Sequence, residues 1–226
     1  MLRVFVGFDS NESVAFHVLS HSILRNSSVP VSITPIVKRH MASFYDRERS
    51  NIESTDFSFT RFLTPYLCGY EGWAVFMDCD MLMVGDVAEL WSLRDDRYSV
   101  MCVKHDYRPV EDTKFLGQIQ TKYEKKNWSS VMLFNNSKCS KLTPQVVEAE
   151  SGLYLHQFKW LSSDSEIGEL PNAWNYLVGE PVPRPSEPKL VHYTLGGPYF
   201  EKYANCEFAD AWRAERELMI FAKSDQ

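Results

Sequence analysis

The sequence predicts an α/β fold with a mixed, mostly parallel central sheet flanked by helices. Three observations carry that expectation. The chain opens as strand, helix, strand, an order that favours parallel pairing. A second buried-type strand, Trp73–Met77, stops abruptly at Asp78-Cys79-Asp80. Strand-like and helix-like stretches then alternate to the end of the chain. With 226 residues, one domain spanning 1–226 is expected, large enough to bury its core without staples.

The elements follow in order. Leu2–Gly7 is apolar and β-branched, and Phe8-Asp9-Ser10 breaks it. Ser10 or Asn11 can cap a helix whose apolar residues (Val14, Ala15, Phe16, Val18, Leu19, Ile23 and Leu24) fall at helical spacing. Pro30 ends it, and residues 31–37 form the next strand. Residues 39–58 read as a polar loop with a short helix, and residues 59–67 as a helix closed by Gly69 and Gly72. Trp73–Met77 is a strand, and Asp86 caps a helix carrying Val87, Leu90 and Trp91. Residues 98–103 form a strand ending at Lys104-His105-Asp106. Residues 115–126 fit no single element. Residues 131–134 form a strand, and Thr143-Pro144 starts a helix. Residues 153–161 show helical spacing, residues 179–188 are Pro-rich loop, Leu190–His192 is a short strand, and residues 208–222 form a closing helix.

Composition narrows the function classes. A formal net charge of −6 without a basic block argues against nucleic acid. No apolar run approaches the ~20 residues that span a bilayer, which leaves only peripheral membrane contact open. The five cysteines are scattered, with no paired spacing for disulfides or structural zinc. They point to a reduced, cytoplasmic setting. Trp128, Trp160 and Trp174 could stack on sugars, but core packing is expected for at least two of them. His105 and His156 are expected to be structural.

The strongest chemical signal is Asp78-Cys79-Asp80 after a hydrophobic strand. Ligands of open α/β sheets sit beyond the carboxyl ends of strands. Residues two apart project to one side of a strand, so both carboxylates can face one point. Two close carboxylates repel unless a cation neutralises them. Hard divalent ions take oxygen ligands and bridge to substrate phosphates. His192, ending a later strand, could complete such a shell and would favour Mn²⁺ over Mg²⁺. Gly196 and Gly197 just beyond it allow backbone N–H groups to approach phosphate.

Together, Val4-Phe5-Val6-Gly7-Phe8-Asp9, Arg61, Asp78-Cys79-Asp80 and the segment from His192 to Tyr199 resemble family 8-type glycosyltransferases. More closely, they are similar to a bacterial subgroup that also carries stretches like Lys126-Asn127-Trp128-Ser129-Ser130-Val131 and Leu155-His156-Gln157-Phe158. The resemblance runs over residues 3–212 and implies a GT-A-type fold, a nucleotide-sugar donor, UDP by habit, and a glycan or glycolipid acceptor. It implies that Asp78, Asp80 and His192 hold Mn²⁺ (or Mg²⁺) on the donor diphosphate. Phe8, Asp9 and Ser10 would contact base and ribose, Arg61 and Cys79 would face the donor, and Gly196 and Gly197 would sit on the diphosphate. Asp164 and Glu166 lie where members carry an acid near the reacting centre, Asp164 being the expected one; Asp106, placed after a strand, could face the site or simply cap. Two departures stand out. Gly197 precedes Pro198-Tyr199 where members carry Lys, and Trp128-Ser129-Ser130 stands where members carry Asn-Ala-Gly. Arg61 or Lys104 would then meet part of the diphosphate charge.

Two alternatives fit the carboxylate pair. One is a phosphatase of the haloacid dehalogenase type, with Asp78 as nucleophile. Against it, that motif usually opens the chain, whereas a βαβ unit precedes it here. The other is a sugar-nucleotide binding module without catalysis.

Overall fold

The computed structural model describes residues 1–49, 53–107, 115–117 and 123–221. In chain order its regular elements begin with β1 (Leu2–Gly7), α1 (Ser13–Asn26), β2 (Val31–Ile36), α2 (Thr64–Leu67) and β3 (Trp73–Met77). They continue with β4 (Met81–Met83), α3 (Val87–Ser92), β5 (Val100–Cys102), β6 (Val131–Asn135), α4 (Pro144–Ala149) and α5 (Gly152–His156). The last are β7 (Ile167–Glu169), β8 (Tyr176–Leu177), β9 (Leu190–His192) and α6 (Ala209–Ile220).

Six strands form the central sheet in the order β2-β1-β3-β6-β5-β7. The pairs β1–β2, β1–β3 and β5–β7 are parallel, while β6 is antiparallel to both β3 and β5. Only β6 is reversed, so the sheet is mixed and mostly parallel, as the sequence predicts. Its central strands are nearly continuous apolar runs because side chains are covered on both faces. Val75, Phe76, Met77, Leu133 and Phe134 are all fully buried. α1 buries Ala15, Val18, Leu19 and Ile23 of the expected apolar set, while Leu24 points to solvent. Gly7 ends β1 directly under Phe57; a Cβ there would meet the ring at 2.4 Å, so no larger residue fits.

A second, three-stranded sheet has the order β4-β9-β8. β4 and β9 run antiparallel with Met81 opposite His192, and β8 lies parallel to β9 with Leu177 opposite His192. The sequence reading missed β4, β7 and β8. Each has two or three residues, too few for a period, and each exists through its pairing partner. α6 docks on α1 through the buried Glu215, which accepts from Arg25 at 2.6 Å and faces His21 Nδ1 at 2.6 Å.

Two expected helices are shorter for visible reasons. Residues 59–67 split into a 3-10 turn, Thr60–Leu63, and α2. Pro65 has no N–H to give the Arg61 carbonyl, which accepts instead from the Thr64 hydroxyl at 2.8 Å and the Thr64 backbone N–H. α5 stops at His156, and Phe158 turns into the left-handed region (φ 57°). That turn seats its ring, 1% exposed, against Trp128 and Trp160. Of residues 115–126, those from 118 to 122 lie outside the described residues, as does residue 222 of the expected last helix.

Leu133 is fully buried and pairs with Val75 on one side and Met101 on the other. Leu133→Ala should therefore lower stability by about 2–5 kcal/mol in urea unfolding. Leu24→Ala, at a site 58% exposed, should stay within about 0.5 kcal/mol of the parent chain.

Candidate metal centre and its cavity

The site forms where β3 leaves the central sheet. Met77 pairs with Val131, and Asp78 N–H donates to the Ser130 carbonyl at 3.0 Å, holding the strand end against the start of β6. The chain then turns through Cys79 and Asp80 into β4. The Asp80 carbonyl accepts from Tyr193 N–H at 2.8 Å, continuing the β4–β9 ladder by one step. That register lays His192 beside Asp80. His192 Nε2 is 3.3 Å from Asp80 Oδ1 and 4.0 Å from Asp78 Oδ2. All three side chains are buried, and one ligand atom from each lies within 4.8 Å of the others. On its far side, His192 Nδ1 lies 2.8 Å from Asn175 Oδ1.

Arg61 brings a positive charge against Asp78. Its Nη1 is 2.7 Å from Asp78 Oδ1 and donates to the Ser129 carbonyl at 2.9 Å. Its Nε reaches the carbonyls of Phe57 and Ser58 at 3.3 and 3.2 Å. Burial pushes the Asp78 carboxyl above the usual carboxylate range; Arg61 pulls it back, Asp80 pushes it further up and His192 opposes that. Two carboxylates and an imidazole form a ligand set that could hold a divalent ion.

These groups sit on the wall of a cavity of about 320 Å³. Its wall runs from Phe57, Phe59 and Arg61 across Asp78 and Asp80 to His192 and Thr194, and closes through Tyr123, Lys126, Asn127, Ser129 and His156. It opens at the carboxyl end of β3, where ligands of such sheets gather. Lys126 is buried, with its Nζ 5.0 Å from the Tyr123 ring centre. Burial pushes the Tyr123 phenol up to about 12, against the pull of Arg61. Ser129 Oγ lies 2.7 Å from His156 Nδ1, whose ring meets Phe62 edge-on at 5.2 Å.

Of the residues singled out from sequence, Arg61, Asp78, Asp80 and His192 converge here. The other residues expected at the donor or the reacting centre do not line this cavity. Asp9 is buried as a cap, accepting from Asn11 N–H at 2.8 Å and Asp56 N–H at 2.9 Å. Through Asp56 it fastens the segment carrying Phe57 to the end of β1. Phe8 packs edge-on against Phe16 at 5.5 Å, and Ser10 is exposed at the start of the next turn. Cys79 is fully buried, and burial holds its thiol well above the ordinary range. Gly197 packs against Tyr199, whose ring a Cβ would meet at 2.2 Å. Gly196 has φ 140° and is buried beside it. Neither glycine lines the cavity. Asp106 is exposed after β5, and Asp164 is exposed and ion-paired with Lys125 at 2.6 Å. Neither lines the cavity. Trp160 and Trp174 are core residues. Trp128 is half-buried and donates to the His105 carbonyl at 2.8 Å. His105 is held down to about 4, first by burial and then by His192.

Sequence reasoning missed Glu53 and Tyr123, carried Thr194 only inside the His192-to-Tyr199 stretch, and placed His156 in packing alone. Lys126, Asn127, Ser129 and His156 belong to the family-like stretches at 126–131 and 155–158, which was the available signal. Periodicity carried none, because Lys125 and Asn127 are both left-handed (φ 62° and 60°).

No protein-family profile matches the chain. In structure it is similar to the bifunctional glycosyltransferase WbbM, with a TM-score of 0.67 and 16% identity over 95% of this chain and 49% of that one. It is similar to the glycosyltransferase GlyE of Streptococcus pneumoniae, with a TM-score of 0.62 and 15% identity over 95% of this chain and 60% of that one. The chain thus spans about half of WbbM and three fifths of GlyE. The galactosyltransferase LgtC, solved with donor and acceptor sugar analogues, matches over 99% of this chain and 98% of its own, with a TM-score of 0.61 and 10% identity. These likenesses show the fold, the GT-A type. In sequence the chain is 50% identical over 224 residues to Protein CDI of Arabidopsis thaliana, covering 95% of this chain and 86% of that protein. At that identity and coverage, the chain belongs to the family of Protein CDI.

Proposed function

We propose that this protein is a metal-dependent glycosyltransferase of family 8 type. It moves a sugar from a nucleoside-diphosphate donor, UDP being the favoured nucleotide, to a hydroxyl of a glycan or glycolipid. The observation that carries this reading is the convergence of Asp78, Asp80 and His192 on the wall of the 320 Å³ cavity. Glycosyltransferases with the same fold support it. The phosphatase alternative needs Asp78 as a nucleophile, whereas its Oδ1 is held by Arg61 at 2.7 Å.

When bound, a divalent ion would stabilise the charge that grows on the diphosphate as the glycosidic bond breaks. Asp78, Asp80 and His192 would hold it. Arg61 fixes Asp78 and limits its repulsion with Asp80. Lys126 lines the same cavity and offers a second cationic side chain near an anionic donor. Asn127, Ser129 and His156 present polar atoms on the wall suited to sugar hydroxyls. Among the described residues no helix is long and apolar enough to cross a membrane.

Calorimetric titration of UDP in the presence of Mn²⁺ tests the reading. The parent protein should bind UDP with Mn²⁺ and lose that binding in chelator. Asp80→Ala should weaken it by at least about tenfold, a change of about 1.4 kcal/mol, while keeping its thermal unfolding transition. Equal UDP affinity in that variant would overturn the proposal. Arg61→Met addresses the buried charge directly. Removing one partner of a buried ion pair typically costs about 3–5 kcal/mol. In chelator the variant's urea midpoint should fall accordingly, and Mn²⁺ should recover part of the loss because it binds the folded form. An unchanged midpoint would show that Asp78 does not depend on Arg61.

A further inference from the structure

Asn175 is fully buried between the 3-10 turn Asn172–Trp174 and β8. Both ends of its amide are engaged. Its Nδ2 donates to the Asn127 carbonyl at 3.1 Å, and its Oδ1 lies 2.8 Å from His192 Nδ1. Flipping the amide would set Asn175 Oδ1 against the Asn127 carbonyl oxygen and lose that bond. The orientation is therefore fixed from the Asn127 side. That carbonyl is aimed by the left-handed backbone of Asn127 (φ 60°) and also accepts from Ser130 N–H at 3.4 Å.

An amide oxygen accepts and never donates, so the His192 nitrogen facing it must carry the hydrogen. In the neutral ring the other nitrogen, Nε2, then keeps its lone pair. Nε2 is the atom 3.3 Å from Asp80 Oδ1 and 4.0 Å from Asp78 Oδ2. Left to itself, a histidine beside two carboxylates gains by placing its hydrogen toward them. Here the buried amide holds the hydrogen on the opposite side, and a lone pair faces two carboxylate groups. Such an arrangement is unfavourable without a cation among the three groups and favourable with one.

We propose that Asn175 is a positioning residue that fixes the Nδ1–H tautomer of His192 and so shapes the Asp78–Asp80–His192 cluster for a divalent ion. The proposal rests on reading those three residues as metal ligands. It goes beyond that reading by assigning the preorganisation to the chain His192–Asn175–Asn127, which ties β9 to the loop forming the cavity wall.

Nitrogen-15 histidine spectra of the metal-free protein at pH 9, with His192 assigned from the spectrum of His192→Gln, read the tautomer directly. The parent protein should show His192 protonated on Nδ1 alone. Asn175→Leu should move the hydrogen to Nε2. Asn175→Asp, which keeps an acceptor, should retain the Nδ1–H signature. Mn²⁺ titration should show an affinity about 10- to 100-fold weaker in Asn175→Leu, the usual consequence of losing a partner behind a metal-bound histidine. A parent spectrum with the hydrogen on Nε2, or on both nitrogens, overturns the proposal and needs no variant to fold. So does Asn175→Leu with an unchanged tautomer or unchanged Mn²⁺ affinity. If the parent protein binds no Mn²⁺, the metal reading fails by itself, and the parent spectrum still decides what Asn175 does.

Discussion

The antiparallel pairing of β4 with β9 is the constraint on which the site depends. It sets Met81 opposite His192 and so brings a histidine from late in the chain beside Asp80. Side chains alternate along a strand, so a slip of one residue would turn His192 to the other face of this small sheet. The ladder continues past the strand through Tyr193 N–H to the Asp80 carbonyl, which fixes the turn carrying both carboxylates. The central sheet contributes the other half. It ends β3 against β6 at the level of Ser130 and so fixes where Asp78 emerges.

The arrangement concentrates charge in a buried place. Asp78, Asp80 and His192 are 8%, 7% and 1% exposed, and burying carboxylates without full compensation is unfavourable. Arg61 offsets part of this. It is itself held by three backbone carbonyls and lies over Phe57 and Phe76 at 5.3 and 5.2 Å. Such anchoring keeps the guanidinium from following its charge elsewhere. A cation among the three groups would offset more of that cost.

The opening βαβ unit was legible in the sequence, as was the hydrophobic strand ending in Asp78-Cys79-Asp80. Both follow from long apolar runs with clear breaks. Arg61 was legible only through family resemblance, since a buried arginine inside a short 3-10 turn leaves no periodic trace. β8 and Asn175 were invisible for a related reason: their placement is set by pairing with β9, not by local propensity. The ends of α2 and α5 were misjudged because Pro65 and the buried Phe158 override helical spacing that looks regular on paper. The cavity wall at residues 125–130 depends on two left-handed residues, a conformation that no hydrophobic pattern encodes.

The two aspartates and the histidine, we propose, share a divalent ion next to a nucleoside diphosphate. Anomalous diffraction at the manganese edge, from crystals grown with Mn²⁺ and UDP, tests it most directly. The expected result is a single strong peak within coordination distance of Asp78, Asp80 and His192, touching the diphosphate oxygens. A peak elsewhere, or UDP ordered in the cavity with no ion between it and these side chains, would contradict it.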